Sequence, residues 1–143
     1  MSDIDVQTVT RRLAHLRDVL DDLDGLGPVT VDRLNQDHVL RYAVERMLTL
    51  AVDTAVDINT HVATRRVRPP EDARESFALA AKAGVLDAEL ATRLEDSVGL
   101  RNILTHEYLR IDRQIVANAV SEASTGYHEY IRVVARAVAD QGT

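Results

Sequence analysis

From His38 to Arg65 the chain runs without a single glycine or proline, and its aliphatic residues return every three to four positions. Val39, Leu40, Ala43, Met47, Leu50, Ala51, Ile58 and Val62 form one stripe, and Val44, Leu48, Val52 and Val56 form a second beside it. A period of two would be needed for a strand, so this stretch reads as a helix over about 38–65, with Asp37 placed to cap it. Two apolar stripes require neighbours on two sides. Such a helix belongs in the middle of a bundle.

The flanks obey the same period. Ile4, Val6, Val9, Leu13, Leu16, Val19, Leu20 and Leu23 predict a first helix over 3–24, which "GLGPVT" breaks before a short turn around "VDRLNQ". "RVRPPEDARE" ends the central helix and opens a third, with Pro70 and then acidic residues in its first turn. Gly84 is suited to stop it. Asp87 is the expected cap of a fourth helix over 88–108, and Asp112 of a fifth over 113–139. No segment alternates like a strand and no repeat is visible. The expected fold is all-α, an antiparallel up-and-down bundle of four to five helices in one domain, 1–143.

Composition narrows the function. Without cysteine there is no disulfide framework, thiolate metal site or cysteine nucleophile, which fits a reducing compartment. No apolar run approaches the ~20 residues of a membrane span and the N-terminus has no leader-like segment, so a cytoplasmic protein without a membrane partner is expected. A net charge of −6 argues against broad binding to a nucleic-acid backbone, and DNA is not an expected partner. Aromatic residues make up 3% of the chain, too few for a base-stacking platform. A local basic site remains open; "RRVR", with Arg65, Arg66 and Arg68, also reads as a solvated helix end complementing the dipole.

Two polar constellations stand out. Glu45, Thr49, Asp53, Asp57 and His61 follow one another at four-residue spacing along the central helix. They read either as a solvent face with internal pairs or as a line of which some acids, Asp57 first, reach a pocket. Facing Glu-x-x-His pairs, which a carboxylate di-metal site would need, are absent, and no metal or cofactor is expected. The second constellation is "RNILTHEY", residues 101–108. On an ideal helix Arg101 and Tyr108 fall about 20° apart, Asn102 and His106 about 40° apart, and all four within an arc of roughly 160°. They could face one cavity, or each could serve locally, as an ion pair, a helix-end histidine and a boundary tyrosine.

"RNILTHEY" resembles the R-x4-H-x-Y motif of HepT-like toxins, members of the HEPN superfamily. "RYAVERMLTLAVDTAVDINTHV" is similar to that family's second helix, and "FALAAKAGVLDAELATRLEDSVGLRNILTHEYLRID" to its third helix, turn and motif helix, so that the likeness covers about residues 37–120. Thr105 stands where the family often has an aliphatic residue. The resemblance implies a helical-bundle homodimer acting as the toxin of a type II toxin–antitoxin system. Its activity would be a metal-independent endoribonuclease acting on RNA, with tRNA a candidate, held in check by a nucleotidyltransferase antitoxin. By the same likeness Arg101 and His106 are catalytic, Asn102 supports them, and Tyr108 is the residue that the antitoxin modifies with AMP. Asp57 is the further supporting residue from the polar line.

The residue chemistry is compatible with that reading. RNA carries its own nucleophile, the 2′-hydroxyl, so cleavage without a metal needs a proton acceptor or donor that works near neutrality and a cation beside the phosphoryl oxygens. Imidazole and guanidinium are those groups. One motif holds one histidine, and a two-fold dimer would bring a second. The competing reading is a non-catalytic helical subunit that binds nucleotide or substrate for a nucleotidyltransferase, with Arg101 on a phosphate and His106 structural. The chain has no glycine-rich phosphate loop of its own.

Overall fold

The computed structural model describes residues 3–141, apart from the side chains of Tyr108 and Gln141. It is all-helical: α1 (Val6–Asp24), α2 (Val31–Gln36), α3 (His38–Arg66), α4 (Ala73–Lys82), α5 (Ala88–His106), a short 3₁₀ turn (Tyr108–Arg110) and α6 (Arg113–Gln141). The described residues thus hold six α-helices rather than four or five. "VDRLNQ" is not a turn: Thr30 accepts the Arg33 amide at 3.1 Å and nucleates a six-residue helix that buries Leu34.

The helix starts are set by side chains. Asp5, Asp37, Asp72 and Asp87 each accept the backbone amide three residues on, at 3.1, 3.0, 2.7 and 2.7 Å, satisfying donors that a helix N-terminus leaves open. Asp112 accepts the Gln114 amide, two residues on, at 2.9 Å. Gly84, at φ +88°, takes the left-handed conformation that lets the chain leave α4 and enter α5.

α3 lies in the centre and packs against every other helix. Its buried face is wider than one stripe: Val44, Leu48, Ala51, Val52, Ala55, Ile58 and Val62 are all inside. The larger part of the core joins Leu16 and Leu20 of α1, Phe77 of α4, Leu90 and Leu94 of α5, and Tyr127 and Tyr130 of α6 around Ala51–Val62. A smaller part joins Leu23, Leu34, Val116 and Val120 to Val44 and Leu48. Val39, expected on the main stripe, is 76% exposed because it sits in the first turn of α3, outside both clusters. α5 and α6 approach closely at Gly126, where a Cβ would lie 2.9 Å from Leu94 Cδ2. Among the described residues no helix is long and apolar enough to cross a membrane.

Candidate active site at the end of α5

α5 changes character along its length. Its first half buries Leu90, Ala91, Leu94 and Val98, whereas from Gly99 to His106 no residue is fully buried. Leu100, Ile103 and Leu104 are only half-covered, and Asn102, Thr105 and His106 are exposed. The helix closes at His106. The Glu107 amide still bonds the Ile103 carbonyl at 2.9 Å, but Glu107 itself leaves helical geometry at φ −128°, ψ 38°. Residues 107–112 then reverse the chain so that Asp112 can cap α6.

This overturns the expectation of one helix through residue 108. Tyr108 lies in the 3₁₀ turn, so its direction does not follow from the α5 period, and its side chain lies outside the described residues. Nor do the described motif side chains point the same way. Arg101 points toward α3, where Nη1 donates to Asp53 Oδ1 at 3.1 Å, and its Nε is buried without a partner among the described residues. Asn102, some 100° further round the helix, and His106, one turn beyond Asn102, face solvent. The motif therefore offers a guanidinium held from behind by a carboxylate, and an imidazole on the open last turn of the same helix.

Asp57 is not part of this group. It is exposed one turn beyond Asp53, a rise of about 6 Å, and its carbonyl faces the Arg12 guanidinium of α1 at 3.5 Å. The polar line divides along its length. Arg41 pairs with Glu45 at 3.7 Å, and burial pushes the Glu45 carboxyl up against the opposing pull of Arg41 and Arg113. Thr49 donates to the Glu45 carbonyl at 3.0 Å. Asp53 holds Arg101. At the far end the His61 ring accepts the Asp5 amide at 3.0 Å, and burial together with Arg65 and Arg12 holds its pKa below the usual histidine value. Asp53 was visible in the sequence as a member of this line, but only the contact between α3 and α5 selects it over Asp57.

The "RRVR" cluster is occupied with local contacts: Arg66 pairs with Asp3 at 2.8 Å and reaches the Ala83 carbonyl, and Arg68 meets Glu75 with two parallel bonds of 2.9 Å. The three metal-type side chains that come together among the described residues, Asp21 and Asp24 of α1 and His128 of α6, are exposed and include no residue of the motif. There His128 Nε2 lies 2.8 Å from Asp24 Oδ2, and Ser124 donates to Asp24 Oδ1 at 2.7 Å.

Beside Arg101, between α3, α5 and α6, the structure has a cavity of about 340 Å³. Leu48, Val52, Leu100 and Leu104 are among its walls, and Asn118 and Glu122 of α6 are among its polar lining. Neither Asn102 nor His106 lines it. The Tyr127 phenol at its inner side shares a 2.6 Å hydrogen bond with Ser97, and burial holds that phenol well above its ordinary pKa.

A family model described as Ribonuclease HepT-like matches residues 9–134. A protein named tRNA nuclease HepT, from Aphanizomenon flos-aquae, is 31% identical over 135 residues, 94% of this chain and 92% of its own length. A protein named mRNA nuclease HepT, from Shewanella oneidensis, is 28% identical over 103 residues, covering 71% and 77% of the two chains. Among solved structures, a tri-AMPylated HEPN toxin of Shewanella oneidensis in complex with an MNT antitoxin matches 94% of this chain and 98% of its own, with a TM-score of 0.79 at 24% identity. YutE, a cytosolic protein of unknown function from Bacillus subtilis, matches with a TM-score of 0.84 at 14% identity, over 99% of this chain and 95% of its own.

Proposed function

Since the chain belongs to the HepT-like family of ribonucleases, we propose that it is the toxin of a toxin–antitoxin pair, a metal-independent endoribonuclease that works as a homodimer with Arg101 and His106 as its catalytic residues. The observation that carries this reading is the geometry of α5: Arg101 is fixed by Asp53 while His106 stands exposed on the last turn. A charge-anchoring group that must not move and a proton-transfer group that must meet substrate are placed accordingly.

In the proposed reaction one His106 takes the proton of the 2′-hydroxyl. The 2′-oxygen attacks the adjacent phosphorus, and the bond to the 5′-oxygen breaks. The leaving oxygen receives its proton from the His106 of the second copy, and the product end is a 2′,3′-cyclic phosphate. Arg101 meets the charge that grows on the non-bridging oxygens, a contribution typically worth ~10²–10³-fold. Proton transfer by a placed histidine contributes a further ~10²–10⁴-fold. Asn102, on the same exposed face as His106, is the supporting polar group. The half-covered Ile103 and the exposed Leu109, neither of which lines the cavity, favour a second copy against this end of α5. The test is purified protein with total RNA in EDTA. Wild type cleaves, His106→Ala does not, and loss of wild-type cleavage in EDTA refutes the mechanism.

The cognate inhibitor is a nucleotidyltransferase antitoxin that transfers AMP to the Tyr108 hydroxyl. A phosphodiester two positions beyond His106 would set an anion and a nucleoside beside the site where RNA must bind. Coexpressed with the transferase, wild type should gain mass in AMP units. Tyr108→Phe should gain none, stay active and escape neutralisation; AMP on another residue would remove Tyr108 from this role.

A further inference from the structure

The cleavage chemistry uses one wall of the cavity between α3, α5 and α6, the Arg101 guanidinium, and leaves the rest without a task. Its volume of about 340 Å³ lies at the small end of the range of ligand sites, roughly 300–1,000 Å³. Leu48, Val52, Leu100 and Leu104 give it aliphatic sides that suit a flat ring. On α6, Asn118 and Glu122 are four residues apart and share a helix face, and both are exposed. Gln114 donates to Asn118 Oδ1 at 2.9 Å, which leaves the Asn118 amide with N–H donors to offer. Glu122 makes no hydrogen bond or ion pair among the described residues, so both its oxygens are open acceptors.

We propose that this cavity is a base-reading pocket that receives a guanine turned out of single-stranded RNA, next to the phosphate held by Arg101; the proposal rests on the ribonuclease reading above. The Watson–Crick edge of guanine presents an acceptor, O6, and then two adjacent donors, N1–H and N2–H. Asn118 supplies a donor for the first, and the Glu122 carboxylate accepts the other two as a parallel pair. Adenine and cytosine set a lone pair where Glu122 needs a second donor, and uracil offers a single N–H between two carbonyls. Sequence-specific recognition of RNA relies on such unstacked bases read along their edges. In a chain this poor in aromatic residues, the aliphatic walls take the place of a stacking ring.

Binding and cleavage test this separately. Full-length His106→Ala protein is titrated with GMP, AMP, CMP and UMP. GMP should bind at least ~10-fold more tightly than the other three, the scale of discrimination by a bidentate base contact. Glu122→Gln in the same background should lose that preference, and Ala123→Leu, which fills the cavity, should lose the binding. Equal affinity for all four, no binding, or a GMP preference that survives Glu122→Gln overturns the proposal whether or not the protein is a nuclease. So does an Ala123→Leu variant that keeps GMP binding and changes only self-association, since the cavity then serves a second copy. With active protein and a randomised RNA, cuts should cluster beside guanine and the bias should fall about tenfold in Glu122→Gln. No cleavage by wild type, with selective GMP binding intact, refutes the ribonuclease reading alone.

Discussion

At the level of α4, Asn59, Ser76 and Tyr130 are buried and bonded to one another. The Tyr130 hydroxyl donates to Asn59 Oδ1 at 2.7 Å, Asn59 Nδ2 to Ser76 Oγ at 3.3 Å, and Ser76 Oγ to the Ala73 carbonyl at 2.6 Å. At the end of α5 the polar residues are treated differently: Arg101 keeps an unpartnered Nε, and Asn102 and His106 are left in solvent. Both groups sit on helices of the same bundle, and both would look alike in a composition table. A fold secures polar side chains that serve packing by pairing every donor and acceptor, because an unmet buried group costs more than a met one gains. Side chains left in solvent, as Asn102 and His106 are, keep their donors and acceptors available for a substrate.

The comparison breaks most visibly at Arg101. Arg101→Ala should lower RNA cleavage by at least ~10²-fold with little change in the midpoint of chemical denaturation, because its end of α5 carries no fully buried residue. Arg101→Lys should recover little of this, since an ammonium lacks the planar fork. Asp53→Ala should cost less, on the order of tenfold, and chiefly in turnover, because Asp53 contacts Arg101 and, in the proposed reaction, only Arg101 meets the phosphate. If Asp53→Ala proved as severe as Arg101→Ala, the carboxylate would have a direct part in the chemistry.

Tyr130→Phe should show the opposite pattern. It removes the hydroxyl that satisfies Asn59 Oδ1, leaving a buried acceptor unmet. A loss of about 1–3 kcal/mol in unfolding free energy is expected, with cleavage per folded molecule unchanged. Urea titration beside an activity assay checks both halves. A fall in specific activity would mean that the buried network and the end of α5 are coupled.

Much of this was legible in the sequence. Asp37, Asp87 and Asp112 cap where expected and Gly84 takes a positive φ, because caps and left-handed glycines are local events decided by a few neighbouring residues. α2 was missed because a six-residue helix has no period to detect, only the Thr30 cap. The motif could be read as a pattern, but the directions of its side chains could not. Extrapolating α5 through residue 108 carried Tyr108 onto a helix that stops at His106, where the chain must turn to reach Asp112. That Asp53 and not Asp57 pairs with Arg101 was hidden for a different reason. Residues one turn apart share a helix face, and which of them meets Arg101 depends on how far α5 is shifted along α3, a quantity no single helix encodes.

The smallest expected effect concerns acid. The Arg68 guanidinium, with the Glu71 amide bonded to the same carboxylate, pulls Glu75 down to a pKa of about 2. The folded pKa is lower than the ordinary value of 4.5, so the folded state sheds this proton more readily than the unfolded chain. The contribution to stability is therefore complete above pH 4.5 and fades as pH falls from 4.5 toward 2. The Asp3 carboxyl, lowered by its bond to Arg66, acts in the same direction and also ties down the C-terminal end of α3. Both pairs lie at the surface, so the effect is modest and should shrink in salt. Unfolding midpoints measured from pH 6 to pH 2.5 should fall for wild type, and part of that fall should be missing in Glu75→Gln, which cannot titrate. Equal acid sensitivity in the two proteins would place the acid-labile groups elsewhere, with Asp24, lowered by Ser124 and His128 against the opposing effect of its burial, the next to replace.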